Sequence, residues 1–360
     1  MGQSGIRHLV ARTSSGHFGR GLPAGEIFIV KRILVTGASG FVGRNTLGPL
    51  RTLGFEVHGT VESRDVLDER GVVEHDVDLL DSHQIRRLIR DVAPSHLLHL
   101  AWCTEHGKYW EALENLDWVA ASLTLARAFH EHGGKRMVMA GSCAEYDWAA
   151  PNRTAQETNP PPPQGGSPAG EESRETSACV EGVTPCRPAT LYGISKYALH
   201  TLISAFNDRA GISGAWARIF LLYGPNEDSR RLVASVIRSL LSGEPAECTH
   251  GEQVRDFLHV ADAGSALAAL VNSGVEGPVN LASGKAVPLS ELLHVLGKQL
   301  GRGDLIRLGA RPAPPNDPLV LAANTRRLNE EVGWEPAMDL ETGLEATISW
   351  WRNQLQGGAS

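Results

Sequence analysis

The sequence predicts an α/β protein whose core is a doubly wound parallel sheet, followed by a smaller mixed lobe. From residue 32, short apolar runs alternate with helix-length stretches, which is typical of a parallel sheet covered on both faces. A glycine-rich turn, Gly37-Ala38-Ser39-Gly40-Phe41-Val42-Gly43, separates the first predicted strand from the first predicted helix. Beyond residue 222 the elements become shorter and more mixed, which indicates the second lobe.

The strands of the sheet are predicted from short apolar runs, and the helices from apolar residues at helical spacing. The predicted strands cover 32–36, 56–61, 72–77, 96–101, 136–141 and 214–221. The predicted helices cover 42–53, 82–92 and 108–132 in the first part of the chain, and lie near 229–242, 261–273, 288–300 and 341–355 in the smaller lobe.

The residues around the glycine turn favour a dinucleotide site. The run from Arg32 to Thr36 is typical of a short buried strand, and 42–53 of the helix after it. In this setting the backbone can approach a pyrophosphate, and the N-terminus of the helix meets the negative charge with N–H groups and the positive end of its dipole. A plain strand-to-helix turn is the alternative interpretation.

A second motif, Tyr192-Gly193-Ile194-Ser195-Lys196, suggests redox chemistry on a carbonyl or carbinol. Residues four apart share a helix face, so Lys196 can place its ammonium beside the Tyr192 phenol. That charge would stabilise a phenolate that otherwise forms only near pH ~10, which makes Tyr192 a proton donor usable at neutral pH. Taken alone, the same spacing also fits a solvated surface pair.

Composition excludes several classes of function. The 360 residues are 42% hydrophobic, and the apolar stretches are well short of the ~20 residues that a membrane-spanning helix needs. A formal charge of −7 shows no excess of basic residues that could neutralise the phosphates of a nucleic acid. Five scattered cysteines and 14 histidines without ligand spacing argue against a disulfide scaffold and a metal site. We therefore expect a soluble, cytoplasmic protein.

Two segments depart from the α/β pattern. Residues 1–29 lack a sustained apolar face, and we expect a disordered extension, with a transit peptide as the alternative. Residues 150–188 contain four consecutive prolines and a Ser/Glu-rich run, which predicts an insertion that is either a lid over the site or a surface loop. Residues 30–222 are then the dinucleotide-binding domain and 223–355 the substrate-binding lobe.

Further motifs accompany these two in a fixed order along the chain: Asp78-Leu79, Leu100-Ala101, Ala140-Gly141-Ser142, Tyr223-Gly224-Pro225, Arg255-Asp256-Phe257-Leu258-His259-Val260 and Gly333-Trp334-Glu335-Pro336. Over nearly all of 31–352 this set resembles the extended short-chain dehydrogenase/reductases that act on nucleotide sugars. The resemblance implies a Rossmann fold, a nicotinamide cofactor and a nucleotide-sugar substrate, and we expect a homodimer.

The resemblance also implies a role for each matching residue. Ser142 would donate a hydrogen bond to the substrate oxygen, Tyr192 would pass the proton, and Lys196 would tune Tyr192 and hold the nicotinamide ribose. Arg255 would bind the diphosphate of the substrate. The expected cofactor-binding residues are Gly37, Ser39, Gly40, Phe41, Val42, Gly43, Glu62, Arg64, Asp78, Leu79, Leu100, Ala101, Trp102 and Phe220.

The end of the second predicted strand leaves the choice between NAD and NADP open. Glu62 would hydrogen-bond the adenine ribose of NAD and repel the extra phosphate of NADP. Arg64 could instead hold that phosphate.

Two departures from the family pattern bear on the reaction. Its sugar 4,6-dehydratases carry a carboxylate pair directly after the hydroxyl residue, and here those positions are Cys143 and Ala144, which argues against dehydration. The strand before the Tyr-Gly-Pro motif reads Phe220-Leu221-Leu222 where many members have an asparagine. One usual contact to the nucleotide is therefore missing.

The leading hypothesis is a reductase that delivers hydride to a keto group, at C4, of a nucleotide-linked deoxysugar. A nucleotide-sugar 4-epimerase is the first alternative, because it uses the same Ser-Tyr-Lys set. Reduction of a non-sugar ketone is the second alternative. A non-catalytic dinucleotide sensor is disfavoured by the intact Ser142, Tyr192 and Lys196.

Overall fold

The computed structural model describes residues 31–62, 67, 69–148, 178–314 and 317–357. The expectation of a disordered extension at 1–29 lies outside these residues, as does most of the insertion expected at 150–188. No helix in the described ranges is long and apolar enough to cross a membrane.

The centre of the protein is a seven-stranded parallel sheet with the order β10-β6-β5-β4-β1-β2-β3. Its strands are β1 (Arg32–Thr36), β2 (Glu56–Val61), β3 (Val72–Asp76), β4 (His96–His99), β5 (Arg136–Ser142), β6 (Ser213–Ile219) and β10 (Gly277–Leu281). Ile33 of β1 lies opposite Val57 on one side and His96 on the other. The strand order reverses between β1 and β4, where doubly wound sheets bind ligands beyond the carboxyl ends of the strands.

The described part of the chain forms eight α-helices, numbered in chain order: α1 (Arg44–Thr52), α2 (Ser82–Val92), α3 (Glu114–Glu131), α4 (Leu191–Ala210), α5 (Leu232–Leu241), α6 (Val260–Asn272), α7 (Leu289–Leu300) and α8 (Leu340–Gly357). Apolar residues of α1 and α6 pack on one face of the sheet, including Leu47 and Leu267. Those of α2, α3 and α4 pack on the other face, including Ile89 and Phe129. The doubly wound prediction is therefore confirmed.

The smaller lobe is mixed, as predicted. One of its sheets has the order β11-β9-β13, formed by Ala286–Pro288, Val254–His259 and Val320–Leu321, with β7 (Leu221–Tyr223) also paired to β9. A two-stranded sheet joins β8 (Ala246–Glu247) to β12 (Ile306–Arg307). Leu240, Leu296 and Leu344 of α5, α7 and α8 share the core of this lobe.

Some elements differ from the prediction in ways that shape the site. The strand expected at 214–221 is two strands, because the chain leaves the central sheet after Ile219 and pairs with β9 from Leu221 onward. The helix expected from residue 108 begins at Glu114, since the Asn115 amide donates to the carbonyls of Tyr109 and Ala112 and holds a non-helical turn before it.

Candidate active site

A cavity of about 1510 Å³ lies beyond the carboxyl ends of the central strands and is closed on the other side by the smaller lobe. The structure places almost every residue predicted for the site along this cavity. Those that line it are Gly37, Ser39, Gly40, Phe41, Val42, Gly43, Glu62, Asp78, Leu79, Leu100, Ala101, Trp102, Ser142, Tyr192, Lys196, Phe220 and Arg255. Arg64 lies outside the described residues.

The glycine turn is packed too closely for side chains at two of its positions. Gly37 has a φ of +68°, and a Cβ there would lie 2.9 Å from the backbone nitrogen of Ala101. A Cβ at Gly43 would lie 2.0 Å from the Gly37 carbonyl oxygen. None of the first-turn residues of α1 is acidic, so no carboxylate of that turn offsets the positive end of the helix dipole. This cradle fits a dinucleotide pyrophosphate.

At the end of the cavity beside β2 and β3, the carboxylates of Glu62 and Asp78, both expected to bind the cofactor, have different surroundings. The Asp78 carboxylate accepts from the backbone N–H of Leu80 at 2.8 Å, so it holds its own turn. Glu62 is exposed at the end of β2 and lines the cavity. Its position is suited to the hydroxyls of a ribose.

Ser142 and Tyr192 meet at the centre of the cavity. Ser142 ends β5 and its hydroxyl accepts from the Ala144 N–H at 3.2 Å. Tyr192 lies in the first turn of α4, where the Thr190 hydroxyl accepts from the Gly193 N–H. Burial raises the pKa of Tyr192 above its usual value of ~10, while its hydrogen bond with Ser142 acts in the opposite direction.

Lys196 lies one helical turn beyond Tyr192 and is almost fully buried. Its ammonium donates to the Ala140 carbonyl at 3.0 Å and lies 3.6 Å from the centre of the Trp102 ring. The same nitrogen lies 5.9 Å from the centre of the Tyr192 ring. Burial lowers the pKa of Lys196 to about 7. Small changes in the surroundings of Lys196 therefore decide whether its amine is charged near neutral pH.

A buried ion pair beneath Ser142 was missed by the sequence analysis. The Glu145 carboxylate accepts from the Ser142 N–H at 2.8 Å, from the Trp216 indole at 2.8 Å and from the Arg218 guanidinium at 2.9 Å. Glu145 and Arg218 are both at most 2% exposed. A signal that could have found Arg218 is its place as the one charged residue in the apolar run 214–222, at the end of the strand next to β5.

Aromatic residues around Tyr192 were also missed, apart from Trp102. Tyr109 and Trp110 meet the Tyr192 ring edge-on, with ring centres 4.9 and 5.7 Å away. Trp148 stands at 87° to Trp110 with ring centres 6.2 Å apart. We call Tyr109, Trp110 and Trp148 the aromatic wall. All three line the cavity.

The smaller lobe adds two polar residues that the sequence analysis did not select. Arg231 lines the cavity and hydrogen-bonds the Tyr109 hydroxyl. Glu227 lines it too, and burial raises its pKa to about 8 despite the nearby Arg231. Both follow the Tyr-Gly-Pro motif, which places this loop at the cavity.

Arg255 lies on the smaller-lobe side of the cavity, but its guanidinium already has partners. It donates to Asp317 at 2.5 Å and to the Val254 carbonyl at 2.9 Å. Neighbouring Asp256 is buried and accepts from the backbone N–H groups of Ser283 and Gly284. Asp256 therefore holds a turn, whereas Arg255 and Asp317 face the cavity as an ion pair.

Comparison with known proteins decides the family. The model of the NAD dependent epimerase/dehydratase family matches residues 33–282. The chain belongs to this family. It is an enzyme of the NAD-dependent short-chain dehydrogenase/reductase type.

Curated relatives are similar to this chain in sequence, and solved structures share its fold. UDP-glucuronic acid decarboxylase 1 of Xenopus tropicalis is 26% identical over 339 residues, covering 92% of this chain and 74% of that protein. UDP-glucose 4-epimerase of Thermotoga maritima, solved with UDP-glucose, is 22% identical with a TM-score of 0.73 over 90% of this chain and 99% of that one. MoeE5, solved with UDP-glucuronic acid and NAD, is 27% identical with a TM-score of 0.71, over 90% and 99%.

Proposed function

We propose that this enzyme reduces a keto group, at C4, of a nucleotide-linked deoxysugar, with NAD as its cofactor. The observation that carries the proposal is a complete Ser142, Tyr192 and Lys196 set with no carboxylate directly after Ser142. Cys143 occupies the first of those positions, and burial raises the pKa of its thiol to about 12, so it cannot act as an acid or base near neutral pH. Elimination of water lacks this carboxylate pair, whereas keto reduction needs only a hydride and the proton of Tyr192.

The residues along the cavity divide the work of binding. The glycine turn and the start of α1 would hold the pyrophosphate of NAD, and Glu62 the adenine ribose. When bound, NADH supplies the hydride. Lys196 would hold the nicotinamide ribose from beneath, since its ammonium is fixed between the Ala140 carbonyl and the Trp102 ring.

Proton transfer follows from the contact between Ser142 and Tyr192. Ser142 donates a hydrogen bond to the keto oxygen, where negative charge develops. Tyr192, kept protonated by burial, gives its proton to that oxygen. The charge on Lys196 stabilises the phenolate left behind.

On the substrate side, Arg255 would bind the diphosphate. Its fork of donors matches two phosphate oxygens, and Asp317 would give up part of its contact when they arrive. Relatives named for UDP sugars support UDP as the nucleotide.

A nucleotide-sugar 4-epimerase is the second candidate, favoured by the epimerase names of relatives and solved structures. It would use Tyr192 first as a base and then as an acid. The two reactions differ in whether the nicotinamide is consumed. Reduction of a non-sugar ketone remains an alternative, and it predicts no role for Arg255.

The test is a turnover assay on purified enzyme. With NADH and a nucleotide-linked 4-keto-6-deoxysugar, we expect one NADH consumed per product, and Tyr192→Phe should reduce turnover about 100-fold or more while cofactor affinity is kept. Conversion of UDP-glucose to UDP-galactose without net NADH consumption would support the epimerase instead. Activity of Tyr192→Phe within a few-fold of wild type would exclude both.

We also propose that the chain forms a homodimer and acts in the cytoplasm. Exposed apolar residues on neighbouring helices α3 and α4, among them Leu116 and Ile194, support the first proposal. The second is supported by five cysteines that are all free in the described part of the chain.

A further inference from the structure

We propose that Trp102 is a positioning residue for Lys196, whose ammonium it holds in place and keeps charged through the face of its indole ring. This role rests on the proposed function, because Lys196 is the group that assists Tyr192 there. Buried lysines are usually paired with an acid. Here an aromatic ring takes the place of that acid.

The Lys196 ammonium is buried without a carboxylate bonded to it. Lys196 is 4% exposed, and the described part of the chain shows no salt bridge to it. Glu145 is the acid whose charge acts on Lys196. Its carboxylate is already bonded to the Arg218 guanidinium, the Trp216 indole and the Ser142 N–H. Glu145 is therefore committed to other donors.

The remaining groups that face Lys196 are neutral. Burial lowers the pKa of His99 to about 3, so this imidazole of β4 carries no charge near neutral pH. Burial raises the pKa of Tyr192, which stays protonated until it reacts. The Ala140 carbonyl accepts one N–H of the ammonium at 3.0 Å. Since an ammonium has three donors, two N–H groups are left for other partners.

The Trp102 ring supplies the missing contact. Its centre lies 3.6 Å from the Lys196 Nζ, well inside the ~6 Å within which a ring face attracts a cation. The centre of the Tyr192 ring is 5.9 Å away, close to that limit. Tryptophan attracts cations most strongly, and the attraction grows where water is excluded. The contact therefore opposes the burial that lowers the pKa of Lys196 to about 7.

Asn115 fixes the orientation of the indole. The Trp102 Nε1–H donates to the Asn115 side-chain oxygen at 2.8 Å. Asn115 is 1% exposed, and its amide nitrogen donates to the carbonyls of Ala112 and of Tyr109 in the aromatic wall. Both ends of the Asn115 amide are bonded, so the ring that they hold keeps its face toward the ammonium.

The experiment is an NMR titration of the full chain with carbon-13 at the lysine Cε. The chain has six lysines, and Lys196→Met identifies the Lys196 signal by its loss. We expect this signal to titrate near the Lys196 pKa of about 7, well below the ordinary lysine value of ~10.4. The ε protons of Lys196 should resonate upfield of those of the other lysines, because they lie in the ring current of Trp102.

Variants separate the ring from its bulk. Trp102→Leu keeps an apolar side chain beside the ammonium but removes the ring, and should lower the Lys196 midpoint by about one pH unit. Trp102→Phe keeps a weaker ring and should lower the midpoint less. Trp118→Leu is the matched control, because Trp118 stacks with Trp102 and lines the same cavity. The Lys196 midpoint should not change in this control.

Kinetics link the contact to the reaction. With saturating NADH and a nucleotide-linked keto sugar, the fall of kcat/KM with pH should follow the NMR midpoint of each variant. At pH 7, Trp102→Leu should keep about fivefold less of its low-pH kcat/KM than the wild type does, because fewer of its lysines are charged.

The outcomes distinguish this role from the proposed function. An unchanged or raised midpoint in Trp102→Leu would overturn the role of Trp102, and so would ε protons without an upfield shift in the wild type. If Trp102→Leu does not fold, Trp102→Phe and the wild-type shift decide. A midpoint that falls while the kinetic profile stays in place would also overturn it. If the wild type reduces no keto sugar, the proposed function fails, while the NMR titration still tests the contact.

Discussion

Lys196 carries its charge in a place where burial opposes it. A lysine whose pKa is lowered is charged below that pKa and neutral above it, so the pKa of about 7 places the loss of the Lys196 charge near neutral pH. In the proposed reaction, Tyr192 needs that charge once it has given up its proton and is a phenolate. The rate of reduction should therefore follow the protonation of Lys196.

We expect kcat/KM for keto reduction to fall about tenfold between pH 6 and pH 8, as a single group with a pKa near 7 loses its proton. Lys196→Met should be much slower and should lack this decline. The check is a pH profile of both proteins with saturating NADH. A wild-type profile that stays flat to pH 9 would contradict the role given to the Lys196 charge.

Glu145 fixes the backbone of Ser142, the residue proposed to bind the keto oxygen, because its carboxylate accepts from the Ser142 N–H. Replacing it with alanine would leave the Arg218 guanidinium buried without its partner and the Ser142 N–H without its acceptor. Removing one member of a buried pair typically costs about 3–5 kcal/mol.

Glu145→Ala should therefore lower the free energy of unfolding by about 3–5 kcal/mol, measured by denaturant titration. Arg127→Ala, which breaks an exposed pair with Glu131, is the control and should cost less than about 1 kcal/mol. If the two variants lost the same free energy of unfolding, the buried pair would contribute no more to stability than the exposed pair.

At the level of elements, the sequence predicted those strands and helices that a local pattern of residues indicates. The predicted strands 32–36 and 56–61 match the structure at both ends. The strand Gly277–Leu281 was not predicted, since its Gly-Pro-Val-Asn-Leu run has glycine and proline, which are typical of turns. It lies at the sheet edge, where proline is tolerated.

Some residues of the site belong to local sequence patterns, whereas others are brought together only by the folded chain. The glycine turn and the Tyr192–Lys196 spacing are local patterns and could be read from the chain. Tyr109 and Trp148 reach Tyr192 from loops tens of residues away, so only the packing of the folded chain brings them together. The pairing of Arg255 with Asp317 could not be predicted either, because it joins β9 to a loop 62 residues later.

The turn itself offers a test with its own control. A methyl group at Gly43 would lie 2.0 Å from the Gly37 carbonyl oxygen, whereas one at Gly40, which also lines the cavity, would lie 3.2 Å from the same atom. Gly43→Ala should lower the stability of the fold by about 1–3 kcal/mol, the usual range for overpacking. Gly40→Ala should keep the melting temperature and bind NAD about tenfold more weakly. Wild-type NAD affinity in Gly40→Ala would mean that this turn does not approach the pyrophosphate.

At the scale of the whole molecule, helix α4 has two different sides. Tyr192 and Lys196 face the cavity, while Ile194 and Tyr197, one turn apart on α4, are 48% and 36% exposed. Helix α3 packs beside α4 and adds Leu116, which is 56% exposed. Apolar side chains grouped on adjacent helices favour association, because each copy buries what the other exposes.

If two copies meet at this surface, a charge placed there should separate them. Ile194→Glu would bury a carboxylate opposite its own copy across a two-fold axis, and we expect it to shift the protein from dimer to monomer at micromolar concentration. Leu308→Glu is the control, since Leu308 is 50% exposed but belongs to the smaller lobe. Sedimentation velocity distinguishes the two species directly. A wild-type protein that sediments as a monomer would contradict the proposed homodimer. A dimer that survives in Ile194→Glu and dissociates in Leu308→Glu would place the contact in the smaller lobe and leave the exposed side of α4 without a partner copy.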